Sequence, residues 1–129
     1  QRSLVGSEMC IRDRRYRIKT HQDFDKEFKR LCKKYSSLKA DLSALGKSLS
    51  ENPDQGTSLG KGVRKVRMAI ASKGKGKSHG ARVITYTEAI VCADNEGTVI
   101  LLTIYDKADR DSISAAEIDE LLRSLRWEL

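Results

Sequence analysis

The spacing of hydrophobic residues changes several times along the chain, and each change predicts a new element. In residues 15–19 (RYRIK), Tyr16 and Ile18 alternate with basic residues, which is typical of a short half-buried strand. A helix is predicted to begin at Thr20, with Asp23 in the position of a capping-box acid. Its apolar face follows helical spacing to the predicted end near residue 35: Phe24, Phe28, Leu31 and Tyr35.

A stripe of leucines predicts a second helix immediately afterwards. This helix begins at about Ser37 and ends at Asn52, because the residue before Pro53 disfavours the helical conformation. Its apolar face is formed by Leu38, Leu42, Leu45 and Leu49. Three glycines between residues 56 and 62 predict that the next link is a loop.

The rest of the chain is predicted to form three strands and a final helix. The strands cover residues 63–70, 82–90 and 98–105. The first two are joined by a loop at 72–80 (SKGKGKSHG) that is too rich in glycine and lysine to pack. The third is almost entirely apolar, which is typical of a strand covered on both faces. Ser114 and Glu117 form a capping box before a helix with this apolar face: Ile118, Leu121, Leu122 and Leu125.

The predicted order is therefore β-α-α-β-β-β-α, an α+β fold. Short links favour an antiparallel sheet with an α-helical hairpin packed on one face, followed by a C-terminal helix. The other face of the sheet is then free to carry basic residues. We expect residues 15–129 to form a single domain. Residues 1–14 (QRSLVGSEMCIRDR) look like a translated sequencing-adapter read-through, so we expect a non-native segment there or else a disordered leader.

Positive charge is concentrated between Asp54 and Glu88. This interval contains no acidic residue and eight basic ones, whereas the net charge of the whole chain is +7. All of the excess positive charge therefore comes from this interval. A basic field of this kind attracts a polyanion, most simply nucleic acid, through phosphate contacts and counterion release.

Alternation along the predicted strands brings part of this charge together. Lys65 and Arg67 share one face of their strand, Arg82 is expected across the hairpin, and Lys107 lies just past the last strand. Clustered cations lower the pKa of a lysine, so that it can act as a general base, and arginine can stabilise a pentavalent phosphorane. A general-base lysine and a charge-stabilising arginine are the groups needed for metal-free cleavage of RNA, in which the 2′-OH attacks the adjacent phosphate. The residue types alone favour RNA binding and RNA cleavage equally.

Other kinds of chemistry find little support in the residue types. The three cysteines (Cys10, Cys32 and Cys92) lack CxxC spacing, so we predict neither a disulfide framework nor a zinc site, and a reduced cytosolic setting is the default. His21, expected at a solvated helix start, and His79, in the basic loop, have no carboxylate at metal-ligand spacing. We therefore expect no metal and no cofactor. No apolar run approaches the ~18 residues of a membrane span, so no membrane partner is expected.

Four ordered motifs between residues 59 and 110 resemble the RelE superfamily of bacterial toxins, close to its HigB-like branch. The first is the strand GVRKVR. The second and third are the Gly/Lys loop and the strand that together make up ASKGKGKSHGARVITY, and the fourth is VILLTIYDKADR. The resemblance covers residues 15 to about 127. It implies an mRNA interferase, the toxin of a type II toxin–antitoxin module. Such toxins cut mRNA in the ribosomal A site and leave a 2′,3′-cyclic phosphate and a 5′-OH.

The same resemblance implies a role for each basic residue. Lys65 would be the general base, Arg67 and Arg82 would stabilise the charge on the phosphate, and Lys107 would be a further phosphate contact. A second group is expected to contact RNA or the ribosome: Arg64, Lys73, Lys75, Lys77 and His79. Arg64 faces the opposite side of its strand, so a structural role is open for it as well.

The chain departs from the best-known members of the superfamily at two positions. In those members an arginine directly follows the lysine that Lys107 matches, whereas this chain has Ala108 at that position. Ser114 lies near the position of their C-terminal catalytic tyrosine, and a serine cannot stack on a base. The general acid is therefore left unassigned. Tyr86 and Tyr105 are the available aromatic residues, and either one also suits a core position.

The resemblance also implies a set of partners. These are mRNA in the ribosomal A site, ribosomal RNA and a cognate helix-turn-helix antitoxin, all in the bacterial cytoplasm. Two alternatives remain open: a non-catalytic RNA- or ribosome-binding protein, and an inactive toxin relic whose damaged N-terminus prevents folding.

Overall fold

A computed structural model of the chain describes residues 16–73, 79–91, 96–110 and 112–128. Within these ranges the fold is α+β, with one five-stranded sheet and three α-helices. The strands are β1 (Tyr16–Thr20), β2 (Thr57–Gly60), β3 (Val63–Met68), β4 (Ala81–Val91) and β5 (Glu96–Asp106). The helices are α1 (Gln22–Cys32), α2 (Leu38–Glu51) and α3 (Ala115–Glu128). No helix in the described part is long and apolar enough to cross a membrane. The leader expected at 1–14 lies outside the described residues.

The sheet has the strand order β1-β5-β4-β3-β2. Strands β3, β4 and β5 pair antiparallel, which confirms the predicted meander. β1, however, pairs with β5 in the parallel direction, so the prediction of an antiparallel sheet was wrong at this strand. The chain leaves β1 through two helices and enters the rest of the sheet at its far edge. A parallel neighbour needs such a long connection, and local alternation carries no information about strand direction.

The glycine-containing link before β3 forms a strand, not the loop that was expected. β2 pairs antiparallel with β3, and all four of its residues are exposed. An exposed edge strand needs no apolar alternation, so the hydrophobic pattern could not reveal it. Gly56 has a φ of 86°, a left-handed conformation that glycine adopts without strain. A Cβ at this position would overlap the Lys65 carbonyl oxygen, so the close approach also requires glycine.

The helices α1 and α2 cover one face of the sheet, as predicted. Phe24 and Leu31 from α1 and Leu38 and Leu49 from α2 are buried in one cluster with residues of the sheet. That cluster contains the inward-facing side chains of β3, β4 and β5: Val66, Met68, Ala81, Val83, Val99, Leu101 and Ile104. The two apolar stripes seen in the sequence therefore form the main core.

The start of α1 differs from the prediction. Thr20 is the last residue of β1, and His21 is the N-cap, whose Nδ1 accepts a hydrogen bond of 2.9 Å from the Asp23 amide. His21 is also 3% exposed, so the expectation of a solvated histidine was wrong. The backbone amide of His21 donates to Leu101 O, which continues the pairing of β1 with β5 and draws this residue into the core.

Helix α3 packs on the opposite face of the sheet. Its Leu121 and Leu125 join Val63, Ile84 and Ile100 in a second buried cluster. The predicted capping box at its start is present: the Glu117 amide donates to Ser114 Oγ, and the Ser114 amide donates to Glu117 Oε1, both at 3.2 Å. The face expected to be free is therefore partly covered. Apolar and basic residues share it.

The two glycines Gly56 and Gly46 allow a matched test of this fold. We expect Gly56→Ala to lower the free energy of unfolding by more than about 1 kcal/mol, because of the steric overlap and the positive φ. Gly46 lies inside α2 with open space around its Cα, so Gly46→Ala should raise the same quantity by about 0.5–1 kcal/mol. Urea unfolding of both variants measures this, and equal effects would contradict the described turn.

Candidate functional site

The strands β3, β4 and β5 align three polar residues in one row across the sheet. Arg67 lies directly opposite Arg82, and Arg82 lies directly opposite Tyr105. Lys65 lies two positions away on β3, opposite Ile84. Directly opposed residues project from the same face, so the predicted grouping of Lys65, Arg67 and Arg82 is confirmed.

The backbone pattern shows how closely the two arginines approach. Thr87 N donates to Gly62 O at 3.1 Å, so the even-numbered residues of β3 form the hydrogen-bonded pairs with β4. Arg67 and Arg82 are therefore a non-hydrogen-bonded pair, the class whose Cα atoms lie only about 4.5 Å apart. Side chains that leave the sheet side by side can place two positive charges near one anion, which is then attracted to both.

The three cations differ in exposure. Arg67 is exposed and Lys65 is half-buried, so both are accessible from solvent. Arg82 is only 5% exposed, and its Nη1 donates to Ala81 O at 3.3 Å. Arg82 lies on the predicted face, but it contributes its charge from beneath the surface. The alternation of residues along the strand contained no signal for this burial.

Lys107 lies at the same end of the sheet. It follows Asp106, the last residue of β5, which pairs with Ala81 next to Arg82. The Lys107 amide donates to Gly80 O at 3.1 Å. This bond fixes the backbone of Lys107 beside the start of β4, two pairs beyond the row of arginines.

A buried carboxylate, Asp106, organises this end of the sheet. It is fully buried and accepts hydrogen bonds from Lys73 Nζ at 2.6 Å, from Tyr35 Oη at 2.5 Å and from the Ala108 amide at 3.0 Å. Lys73 Nζ also donates to His79 O at 2.9 Å and lies 5.3 Å from the centre of the Tyr35 ring. The network thus joins the link between the two helices, the segment after β3 and the end of β5.

The protonation of this network follows from its contacts. Burial by itself raises the pKa of Asp106, but the hydrogen bonds from Lys73, Tyr35 and the Ala108 amide outweigh it and hold the pKa below its ordinary value. Burial likewise opposes the charged form of Lys73, yet the hydrogen bond and the charge of Asp106 raise the pKa of Lys73 above its ordinary value. Both groups are therefore charged at neutral pH.

These contacts correct one expectation about the basic loop. Lys73 was expected on a loop too polar to pack, but it ends a 3-10 turn (Ala71–Lys73) and its side chain is 14% exposed. Its ammonium group is held by Asp106, so it is poorly placed to contact RNA. The partner lies 33 residues away, beyond any local pattern. His79 is exposed at the other end of the loop, whereas Lys75 and Lys77 lie outside the described residues.

Arg64 is engaged within the fold. Its Nη1 donates to Asp54 O at 3.1 Å and to Gly56 O at 3.3 Å, and its Nε lies 3.9 Å from Asp54 Oδ1. The guanidinium group therefore fastens the segment before β2 to β3. Of the two roles considered for Arg64, these contacts favour the structural one.

Arg110 also belongs to this end of the sheet, although it was not among the residues predicted from the sequence. Its guanidinium carbon lies 5.2 Å from the centre of the Tyr105 ring, and its Nη2 donates to Glu117 Oε1 at 2.7 Å. The hydrogen bond from Arg110 lowers the pKa of Glu117. Arg110 reaches Tyr105 because a turn folds it back, with its amide bonded to Asp106 O. The periodicity of strands and helices in the sequence does not predict a turn of this kind.

The assembled residues form a cationic surface suited to a phosphodiester. Lys65 and Arg67 are accessible, Arg82 adds charge below them, and Lys107 and Arg110 lie at the same end of the sheet. In the described part of the chain, no three His, Cys, Asp or Glu side chains come close enough to hold a metal ion. In comparisons with known proteins, no family model matches the chain and no curated protein matches it significantly.

Removing Lys73 should destabilise the fold much more than removing Lys34. Lys73→Met leaves the buried Asp106 carboxylate without its closest cation, and we expect the free energy of unfolding to fall by about 3 kcal/mol. Lys34 also lies near both Asp106 and Tyr35, but at 3.9 Å from the carboxylate and with a side chain 54% exposed. Lys34→Met should therefore cost less than about 1 kcal/mol. Chemical denaturation distinguishes the two, and equal losses would contradict the described network.

The network should also give stability a particular dependence on pH. The pKa of Asp106 is lowered, so its contribution is present above the ordinary value of 3.8 and is lost as pH falls through the folded-state pKa. The pKa of Lys73 is raised, so its contribution is present below 10.5 and is lost as pH rises through the folded-state pKa.

The reference for this test is the double variant Lys73→Met/Asp106→Asn, which lacks both titrating groups. We expect its difference from the wild type in free energy of unfolding to stay constant between about pH 5 and pH 9. The wild type should lose stability relative to this variant below about pH 3, as Asp106 becomes protonated. A wild type that gained relative stability on acidification would show that Asp106 is not held as a carboxylate.

Proposed function

We propose that this chain is an endoribonuclease that cleaves mRNA on the ribosome. The cross-strand pair of Arg67 and Arg82, with Lys65 on the same sheet face, is the observation that carries the proposal. This face lies within the motifs that resemble the RelE superfamily, HigB-like branch, whose members are toxins of type II toxin–antitoxin modules. The α-helical hairpin on the opposite face supports the same reading.

The chemistry proposed for this face needs only its own side chains. Lys65 removes the proton from the 2′-OH, whose oxygen attacks the adjacent phosphorus atom. The bond from phosphorus to the 5′-oxygen breaks, and that oxygen takes a proton from water. One fragment then carries a 2′,3′-cyclic phosphate and the other a 5′-OH. Arg67 contacts the phosphate directly, while Arg82 stabilises the developing negative charge from below. Lys107 is the further phosphate contact.

The proposed partners follow from the same resemblance. Exposed His79, together with Lys75 and Lys77, contacts ribosomal RNA and mRNA near the A site. Lys73 is left out of this group because Asp106 holds it. A cognate helix-turn-helix antitoxin neutralises the toxin, and the setting is the bacterial cytoplasm.

The burial of Arg82 supports a second candidate, an RNA- or ribosome-binding protein without nuclease activity. Since Arg82 is only 5% exposed, direct contact with a phosphate falls mainly to Arg67 and Lys65. Two accessible cations and a mobile counterion layer suffice for salt-dependent binding. This candidate predicts that mRNA remains intact on translating ribosomes.

Substitution of Lys65 or Arg67 should abolish cleavage. In a translation assay read by primer extension, we expect Lys65→Ala to slow cleavage by about 10²–10⁴-fold, because it removes the general base. Arg67→Ala should slow it by about 10²–10³-fold, because it removes a donor that stabilises the transition state.

The matched control for both is Lys47→Ala. Lys47 is an exposed lysine on α2, the helix on the other face of the sheet, so its loss changes net charge equally without touching the proposed site. Cleavage by this variant should stay within about threefold of the wild type. If the wild-type protein leaves mRNA intact, the nuclease proposal is wrong. Salt-dependent binding to the ribosome would then favour the second candidate.

A further inference from the structure

The guanidinium group of Arg110 is held from several directions. Its Nε donates to Ser112 O at 3.2 Å, and its Nη2 donates to Glu117 Oε1 at 2.7 Å. Its central carbon lies 5.2 Å from the centre of the Tyr105 ring, within the range of a cation–π contact. The same Glu117 oxygen accepts from the Ser114 amide, so the capping box of α3 fixes the partner of Arg110 as well. The plane of this guanidinium group therefore has a defined orientation.

These contacts make Arg110 poorly suited to bind a phosphate. An arginine binds phosphate most strongly through two parallel N–H groups, and the Nε and Nη2 donors are already engaged within the fold. Glu117 also balances the positive charge, because the hydrogen bond from Arg110 keeps the pKa of Glu117 below its ordinary value. Arg110 therefore adds little net charge to the surface, unlike the exposed Arg67.

The flat face of the guanidinium group is still accessible. Tyr105 is only 4% exposed and lies on one side of the group, whereas the side chain of Arg110 is 41% exposed. The accessible area therefore includes the side of the plane that points away from Tyr105. Unpaired nucleobases stack on guanidinium planes as they do on aromatic rings. A side chain that is already fixed loses little conformational entropy when a base stacks on it.

The place of Arg110 beside the row of cations also favours a base. Tyr105 lies directly opposite Arg82, which lies directly opposite Arg67. Neighbouring strands are about 4.8 Å apart, so the backbones of β3 and β5 are separated by roughly 10 Å. A nucleotide chain with a phosphate at Arg67 can therefore place a nearby base on Arg110.

We infer that Arg110 is a stacking platform for one unpaired nucleobase of the bound RNA, preorganised by Tyr105 and Glu117. The family resemblance implies no role for Arg110, and the inference rests on the proposed function only in naming RNA as the ligand. Stacking accepts any base but strengthens with the area of its plane. At this one position of the RNA, purines should therefore bind modestly better than pyrimidines.

The test measures binding of four-nucleotide RNAs in which every 2′-OH is methylated, so that no cleavage can occur. One base at a time is replaced by an abasic analogue, and fluorescence anisotropy gives each affinity. For the wild type, loss of the base at one position should weaken binding by at least about fivefold. For Arg110→Lys, which keeps the charge but lacks the plane, the same loss should change binding by less than about twofold.

The matched control is Arg123→Lys. Arg123 is an exposed arginine on α3 that lies 3.7 Å from the Glu120 carboxylate, so it resembles Arg110 in charge and pairing but lies over no aromatic ring among the described contacts. This variant should keep the base dependence of the wild type. Thermal unfolding checks that each variant is folded.

A double variant separates stacking from a phosphate contact. Arg110→Met/Glu117→Gln removes the plane together with its balancing charge, so the net charge of the protein is unchanged. We expect it to lose the base dependence and to keep the wild-type dependence of binding on salt. If Arg110 binds a phosphate instead, the slope of log affinity against log salt will fall by about one while the base dependence stays, which would overturn the inference.

The inference is also wrong if the wild type shows no base dependence at any position, or if Arg110→Lys keeps it. These outcomes are independent of cleavage. A wild type that shows the base dependence but leaves mRNA intact on translating ribosomes would contradict the nuclease proposal and support the role of Arg110. A wild type that cleaves mRNA but binds all the abasic RNAs equally well would contradict the role of Arg110 alone.

Discussion

The buried carboxylate of Asp106 is the constraint on which the rest of this structure depends. A carboxylate removed from water is strongly destabilising unless hydrogen bonds and an opposite charge replace the solvent. Here the replacement comes from distant segments, since Lys73 is 33 residues away and Tyr35 is 71 residues away. The hydrogen bonds to this one carboxylate therefore hold two segments against the end of β5: the link between α1 and α2, and the segment after β3.

That constraint determines where the candidate site can form. Asp106 directly precedes Lys107, and the bond from the Lys107 amide to Gly80 O lies next to the ion pair. Lys73 in turn holds His79 O, so both ends of the loop before β4 converge on the carboxylate. The sheet lies between the two buried clusters, and its two faces differ in charge. One face is closed by α1 and α2, while the other is shared by α3 and the cations.

Local patterns predicted the parts of the fold that depend on local spacing. Three predicted features involve only residues that are close in sequence, and all three are present. They are the leucine stripe of α2, the capping box at Ser114, and the shared face of Lys65 and Arg67. Features that depend on distant partners escaped. The parallel pairing of β1 and the burial of Lys73 are set by residues elsewhere in the chain, and no short window of sequence contains both partners. Strand β2 pairs locally with β3 but escaped for another reason, since its four residues are exposed and show no apolar alternation.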